Sequence, residues 1–287
     1  MDTQKIRFGT ALSLCGVLFS ASSSAAPFSF STGNPDGRIG TASRPASTGK
    51  IEIESADDFI LSQSTTIDHA TFNGLLPTGA TISQVRLEIY RVFPLDSVNP
   101  PSGNVPTRVN SPSDNAFADR SSANATDLSF TTSILAPSFT VANSVVNGIN
   151  KSPNQKTGGE GPVTGQEVLF DVTLKSPFVL PGDHYFFIPQ VELSDGNFLW
   201  LSAPKPIVAP GTPFAPDLQS WIRNENLAPD WLRIGTDIVG AGVDNIAPTF
   251  NGTFSISGTA VPIPGALGLL SLGLGVLGVP SLRRKAV

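Results

Sequence analysis

The chain has 287 residues, with 18 Lys and Arg against 23 Asp and Glu and a formal net charge of −5. That balance speaks against nucleic acid and against anionic polymers held by bulk charge. Gly and Pro supply 27 and 25 residues, too much punctuation for long helices, and the single cysteine excludes an internal disulfide.

In chain order, "MDTQKIRFGTALSLCGVLFSASSSAAPF" sets Lys5 and Arg7 ahead of an apolar stretch over residues 8–19, then small residues. This is the three-part pattern of a secretory signal peptide, with a small-x-small cleavage site at Ser23 and Ala25. Cleavage after Ala25 avoids leaving Pro27 immediately past the scissile bond. The pattern implies the Sec export machinery and signal peptidase as partners. The apolar run is short for about 30 Å of hydrocarbon. Leu14 precedes Cys15, where a lipid-attachment motif needs Gly, Ala or Ser, so Cys15 reads as a leader residue. The exported part then has no cysteine and must stand on its core.

Residues 26–260 are dominated by period-two patterns. In "TISQVRLEIYRVF", Val85, Leu87, Ile89 and Phe93 share a face while Arg86 and Glu88 point the other way. "EVLFDVTL" sets Val168, Phe170, Val172 and Leu174 opposite Asp171 and Thr173; "FNGTFSIS" aligns Phe250, Phe254 and Ile256. "DHYFFIPQV" and "NFLWL" are apolar on both faces and read as central strands; "DDFIL", "HATFNG", "LSFTT" and "SFTVA" are weaker ones. "APDLQSWIRN" offers a helical turn or two, with Leu218, Trp221 and Ile222 at i, i+3, i+4 spacing. Residues 94–127 and 143–166 read as long Asn-, Ser-, Pro- and Gly-rich connections, either functional or mobile. The expected fold is all-β: one antiparallel β-sandwich, jelly-roll or immunoglobulin-like, with long loops between an N-terminal signal helix and a C-terminal transmembrane helix.

Signals for chemistry are sparse. His69 and His184 sit in or beside strands, where a structural role is expected, and no Gly-x-Ser-x-Gly elbow surrounds any serine. No metal site is expected, because zinc would need a further ligand at suitable spacing. Asp57, Asp58, Glu88, Asp171 and Glu192 could form a carboxylate pair for glycoside cleavage, against the commoner reading of solvated face residues. Asp96, Asp114 and Asp119 offer hard oxygens for calcium, without EF-hand spacing. Trp200 reads as core; Trp221 and Trp231, flanking the polar "RNENLAPD", are candidate sugar contacts.

The C-terminal segment is "VPIPGALGLLSLGLGVLGVPSLRRKAV". Over residues 265–279, at about 1.5 Å each, a helix spans roughly 22 Å, and extension to Leu282 gives roughly 27 Å, just enough to cross a bilayer. Arg283, Arg284 and Lys285 follow, and the positive-inside rule keeps them cytoplasmic, consistent with an exported bulk. Gly268, Gly273, Gly275 and Gly278 weaken this helix, which suits a transient stop-transfer element.

A short Pro motif (Val261, Pro262, Ile263, Pro264), a membrane span over 265–282 and a terminal basic cluster together resemble the PEP-CTERM sorting signal of Gram-negative bacteria. Ile263 stands where that family typically has Glu, which bears on where processing occurs. "ADDFIL", "VRLEIYRVFP" and "LSAPKPI" also look like the wording of PEP-CTERM cargo of unknown activity. The resemblance implies an exosortase-type membrane protease as partner, and delivery to the cell surface or exopolysaccharide matrix. The expectation is a non-enzymatic binding or structural protein, with extracellular polysaccharide as a partner. The alternatives are a polysaccharide-active hydrolase or lyase on a sandwich scaffold and a permanently tail-anchored protein without ligand.

Overall fold

Alternating apolar and polar residues are the pattern a half-buried strand requires, and strands carry nearly all the regular structure. The computed structural model describes residues 25–151, 156–204, 207–208 (backbone only), 216–240 and 247–261. Ser23 and the rest of the leader to residue 24, and everything beyond Val261 (Pro262, Ile263, Pro264, the apolar run, Arg283, Arg284 and Lys285), lie outside the described residues. Ala25–Val261 forms one compact unit.

The chain opens with β1 (Ala26–Ser31), β2 (Ile39–Ala42), β3 (Ile53–Ile60), β4 (Thr65–Leu76) and β5 (Ile82–Val92). Next come β6 (Pro112–Ser121), β7 (Leu128–Val141), β8 (Asn143–Val145), β9 (Val163–Leu180) and β10 (His184–Leu193). The last are β11 (Leu199–Ala203), β12 (Ile207–Val208), β13 (Trp221–Asn224), β14 (Leu232–Arg233), β15 (Asn251–Gly252) and β16 (Phe254–Ala260). One wide helical turn, Ile234–Val239, follows β14.

Two sheets result. The larger runs β12-β1-β16-β4-β11-β2-β8, with β15 on β11 and the long β7–β9 hairpin joined to β4 through β9, and it curls into a half-barrel. The smaller runs β14-β13-β3-β10-β5-β6. Pairings are antiparallel except β2 with β8, which is parallel. Consecutive strands cross repeatedly between sheets: β3 lies in the smaller, β4 in the larger, β5 in the smaller, and β9, β10 and β11 alternate likewise.

The main core lies where the sheets face each other. Val85, Leu87 and Ile89 of β5 meet Val168, Phe170, Val172 and Leu174 of β9 in one apolar cluster. Phe72 and Phe170 stack at 4.7 Å, and Phe198 stands edge-on to both at 5.9 and 5.5 Å. Gly74 of β4 lets this ring close down: a Cβ there would sit 1.9 Å from Phe198 Cε2. A second face of the smaller sheet is also buried. Ala56, Tyr90, Phe186 and Ile188 pack there under Leu218, Trp221 and Trp231.

Three expectations are corrected. The helical turn at "APDLQSWIRN" gives way to β13, which pairs with β3. Gln219 has φ 68, incompatible with a right-handed helix, and Trp221 and Ile222 bury themselves in different clusters, as opposite faces of a strand must. The 94–127 connection contains β6, which edges the smaller sheet and so carries little apolar alternation. The 143–166 connection contains β8 and the start of β9. Among the described residues no helix is long and apolar enough to cross a membrane.

Candidate functional site

The outer face of the smaller sheet holds an ionic layer that the sequence pattern assigns to solvent. β3 contributes Glu54, β5 contributes Arg86, Glu88 and Tyr90, and β13 contributes Arg223. Arg223 Nε donates to Glu54 Oε2, Arg223 Nη2 to the Tyr90 hydroxyl at 2.8 Å, and that hydroxyl donates to Glu54 Oε1 at 2.7 Å. The guanidinium also lies 4.3 Å over the Trp231 ring. Arg86 bridges Glu88 at 2.7 Å and Glu52 at 3.4 Å. Glu54 is 4 % exposed and Glu88 2 %, so the layer reaches solvent only at its edge.

Four carboxylates, Glu52, Glu54, Glu88 and Asp119, here face two guanidiniums. Burial, and then the neighbouring Glu54 charge, push the Glu88 carboxyl well above its ordinary range despite Arg86. Beside this layer, Arg108 is sealed against Asp114 at 2.6 Å and Asp230 at 3.4 Å, and donates to the carbonyls of Asn99 and Pro229. Burial alone would raise Asp114, but the Asn99 and Val98 N–H groups and Arg108 hold it below its usual value.

The sequence-predicted residues fall as follows. Trp221 and Trp231 are both 0 % exposed, which corrects the sugar-contact expectation. Their indole N–H groups donate to the carbonyls of Leu218 and Ser113, and their ring faces are covered by Arg233 and Arg223. Trp200 is core, donating to the Thr253 carbonyl. His69 Nε2 lies 2.9 Å from Asp171 Oδ1 on the open surface, and His184 Nε2 lies 2.7 Å from Asp58 Oδ2. Glu192 is half-buried on β10. Asp57 is fully enclosed, accepting from Gly252 N at 3.0 Å and Ser220 Oγ at 3.1 Å. Burial, then Asp58, raise Asp57 well above its ordinary value; burial outweighs the His184 bond and raises Asp58 too. Asp96, Asp114 and Asp119 each lie against a different arginine: Arg91 at 3.3 Å, Arg108, and Arg86 at 3.7 Å. Among the described residues no cluster of three or more His, Cys, Asp or Glu is placed to hold a metal ion.

An open groove of about 490 Å³ lies at the Ile53 and Asn224 end of β3 and β13, one register step from the Glu54–Arg223 pair, and within the roughly 300–1,000 Å³ usual for small-ligand sites. Three segments build it. The first is the connection from β2 to β3, closed by Arg44 N to Ile53 O at 2.8 Å and Ile53 N to Arg44 O at 3.0 Å. The second follows β8, where the Glu160 carboxylate accepts from the N–H groups of Val146, Asn147 and Gly148 at 3.1, 2.6 and 2.7 Å. The third is the turn after β13, where Leu227 N donates to Asn224 Oδ1 at 3.0 Å and Glu225 N to Glu52 O at 3.1 Å. The walls are therefore fixed by main-chain hydrogen bonds and by the Glu160 and Asn224 side chains that accept from main-chain N–H groups.

Ile53 and Ile149 form a buried floor, with Ile51 38 % exposed at the rim. Asn147, Asn150 and Asn226 line the sides, and their side-chain amides have no hydrogen-bond partner among the described residues. Two cations, Arg44 and Lys151, also line it. Arg44 Nη1 donates to Asn197 Oδ1 at 3.0 Å, while its buried Nε has no acceptor. Burial lowers the Arg44 pKa from its ordinary value, the sign of a guanidinium without a nearby counter-charge. Sequence reasoning found two of these segments only as turn chemistry. The polar "RNEN" turn lines the groove, and its flanking tryptophans do not.

Comparison of the chain with protein-family models, with curated proteins and with solved structures finds no match.

Proposed function

We propose that this chain is an exported cell-surface or exopolysaccharide-matrix protein that binds, and does not cleave, polysaccharide. The observation that carries the reading is the order of features in the sequence: a secretory leader, a middle without cysteine, then a Pro motif, an apolar span and Arg283, Arg284 and Lys285. A PEP-CTERM-like tail of this kind would be processed by an exosortase-type protease in the membrane. The amide-lined groove supports a binding role, since it offers unpaired hydrogen-bonding groups at an open surface. Against cleavage stands the burial of Asp57, Asp58 and Glu88, three of the five candidate carboxylates.

We read the scaffold as a sandwich of jelly-roll kind. The support is the repeated change of sheet at β3, β4 and β5 and again at β9, β10 and β11, although β5–β6, β7–β9 and β13–β14 stay paired within one sheet.

Mass spectrometry of the protein from fractionated exporting cells tests the sorting reading. The expected mature N-terminus is Ala26, the expected C-terminus lies near Pro262–Pro264, and the protein is in the envelope or matrix fraction. Neutral residues at 283–285 should leave export intact and spoil tail processing. An intact chain in the cytosol would refute the proposal.

A further inference from the structure

Among the described residues neither of the groove's two cations has a carboxylate partner, on a protein that is acidic overall. Arg44 is tied to a neutral amide and its Nε is buried without an acceptor; Lys151 is exposed and makes no contact with any described carboxylate. Arg86 of β5, Arg223 of β13 and Arg108 of the β5–β6 connection each meet a carboxylate, while Arg120 is taken up by carbonyls and Arg233 by the Trp221 ring. The charge left open at the groove calls for an anion from outside. Three free Asn amides stand beside it, each able to donate and accept, as a hydroxyl-rich ligand demands. The exposed Ile51 gives an apolar patch for the C–H face of a ring.

We propose that this groove binds an acidic polysaccharide, its sugar carboxylates meeting Arg44 and Lys151 and its hydroxyls meeting Asn147, Asn150 and Asn226. The inference rests on the polysaccharide-binding reading above and names the chemical class of the ligand. Free phosphate would satisfy the cations but leave the amides and Ile51 unused. Recognition here rests on two local cations and not on bulk charge, which is −5 over the chain. Because the groove is open and only two cations act, binding is salt-sensitive.

The test uses the full chain in mild detergent, titrated calorimetrically with oligogalacturonate and with a neutral cello-oligosaccharide of equal length. The acidic oligomer should bind at least tenfold more tightly, about 1.4 kcal/mol. Lys151→Gln and Arg44→Gln should each weaken it by roughly tenfold, weaken the neutral oligomer much less, and remove about half of the salt dependence. Lys151→Gln keeps the comparison sound should Arg44→Gln disturb the fold, since Lys151 has no partner among the described residues. Equal binding of both oligomers, affinity unmoved by Lys151→Gln, equal displacement by inorganic phosphate, or no binding of either would each overturn the inference. Export is read separately from the mature termini: an exported protein that ignores the acidic oligomer refutes the groove assignment alone, and a cytosolic one that binds it refutes the sorting assignment alone.

Discussion

Two regions of the smaller sheet use arginine in opposite ways. On the outer face, Arg223 reaches Glu54, the Tyr90 hydroxyl, the Asp114 carbonyl and the Trp231 ring, so its donors and its faces are taken. At the groove, Arg44 holds one amide and leaves a buried nitrogen without an acceptor. The first arrangement is closed and does structural work, because a desolvated charge is tolerated only when its partners are fixed around it. The second is open, and leaving it so costs stability that a bound anion would return. Burial of a charge therefore separates the two regions less well than the count of its partners.

The largest effect comes from breaking the closed region. Arg223→Ala leaves Glu54 buried and unpaired, and should cost about 3–5 kcal/mol in denaturant unfolding. Replacing the set together (Arg223→Met, Glu54→Leu, Tyr90→Phe) should cost much less, because no charge is then stranded. If the triple variant is as damaged as the single one, apolar packing and not charge compensation holds that face together. A comparable loss, about 3–5 kcal/mol, is expected for Phe170→Ala between the sheets, where a cavity opens beneath Phe198 and Phe72.

These two regions also differ in how much of them the sequence discloses. The inner core is readable: alternation in β5 and β9 identifies Val85, Leu87, Ile89, Val168, Phe170, Val172 and Leu174, all buried. The outer layer is not. Glu88 alternates with apolar residues just as a solvated carboxylate does, and its surroundings come from distant segments; Arg223 lies 169 positions from Glu54 and 133 from Tyr90. β6 escapes notice because an edge strand buries one flank only, and its polar run matches that of a loop. β13 misleads because Leu218, Trp221 and Ile222 fit a helical period although an irregular stretch and a strand bury them. The groove is legible only as two asparagine-bearing turns, since nothing local says that they converge with the connection over residues 44–53.

A middle-sized effect sharpens the comparison through pH. Glu88, Asp57 and Asp58 hold their protons in the folded state where the unfolded chain has released them. The folded chain thus binds more protons, and stability falls as pH rises from their ordinary values through the raised ones. Asp114 has the opposite sign: its contribution is present above its ordinary value and lost as pH falls through the lowered one. The net expectation is greatest stability in mild acid, with decline toward neutral and alkaline pH. Glu88→Gln removes one proton from this balance, so the variant should gain on the parent by up to about 1.4 kcal/mol per pH unit over that decline. Denaturant midpoints measured across pH decide it; parallel curves for variant and parent would mean that Glu88 is ionised in the fold and that Arg86 outweighs burial.

The smallest effect on stability belongs to the groove, and it sets the two regions furthest apart. Lys151→Gln, Asn147→Ala and Asn226→Ala remove side chains that make no hydrogen bond within the described residues, and surface changes of that kind stay within about 0.5 kcal/mol. The wall itself is held by main-chain groups and by Glu160, which these substitutions leave in place. Glu160→Ala, in contrast, strips three N–H groups of their acceptor and should loosen the wall by about 1–3 kcal/mol. Side chains that cost nothing to remove, standing on a backbone that costs something to disturb, are what a pre-organised binding surface requires. Thermal midpoints of these four variants, taken together with their oligogalacturonate affinities, would separate the two kinds of residue. Groove side chains that prove to be stabilising would move the groove into the same structural class as the outer ionic layer.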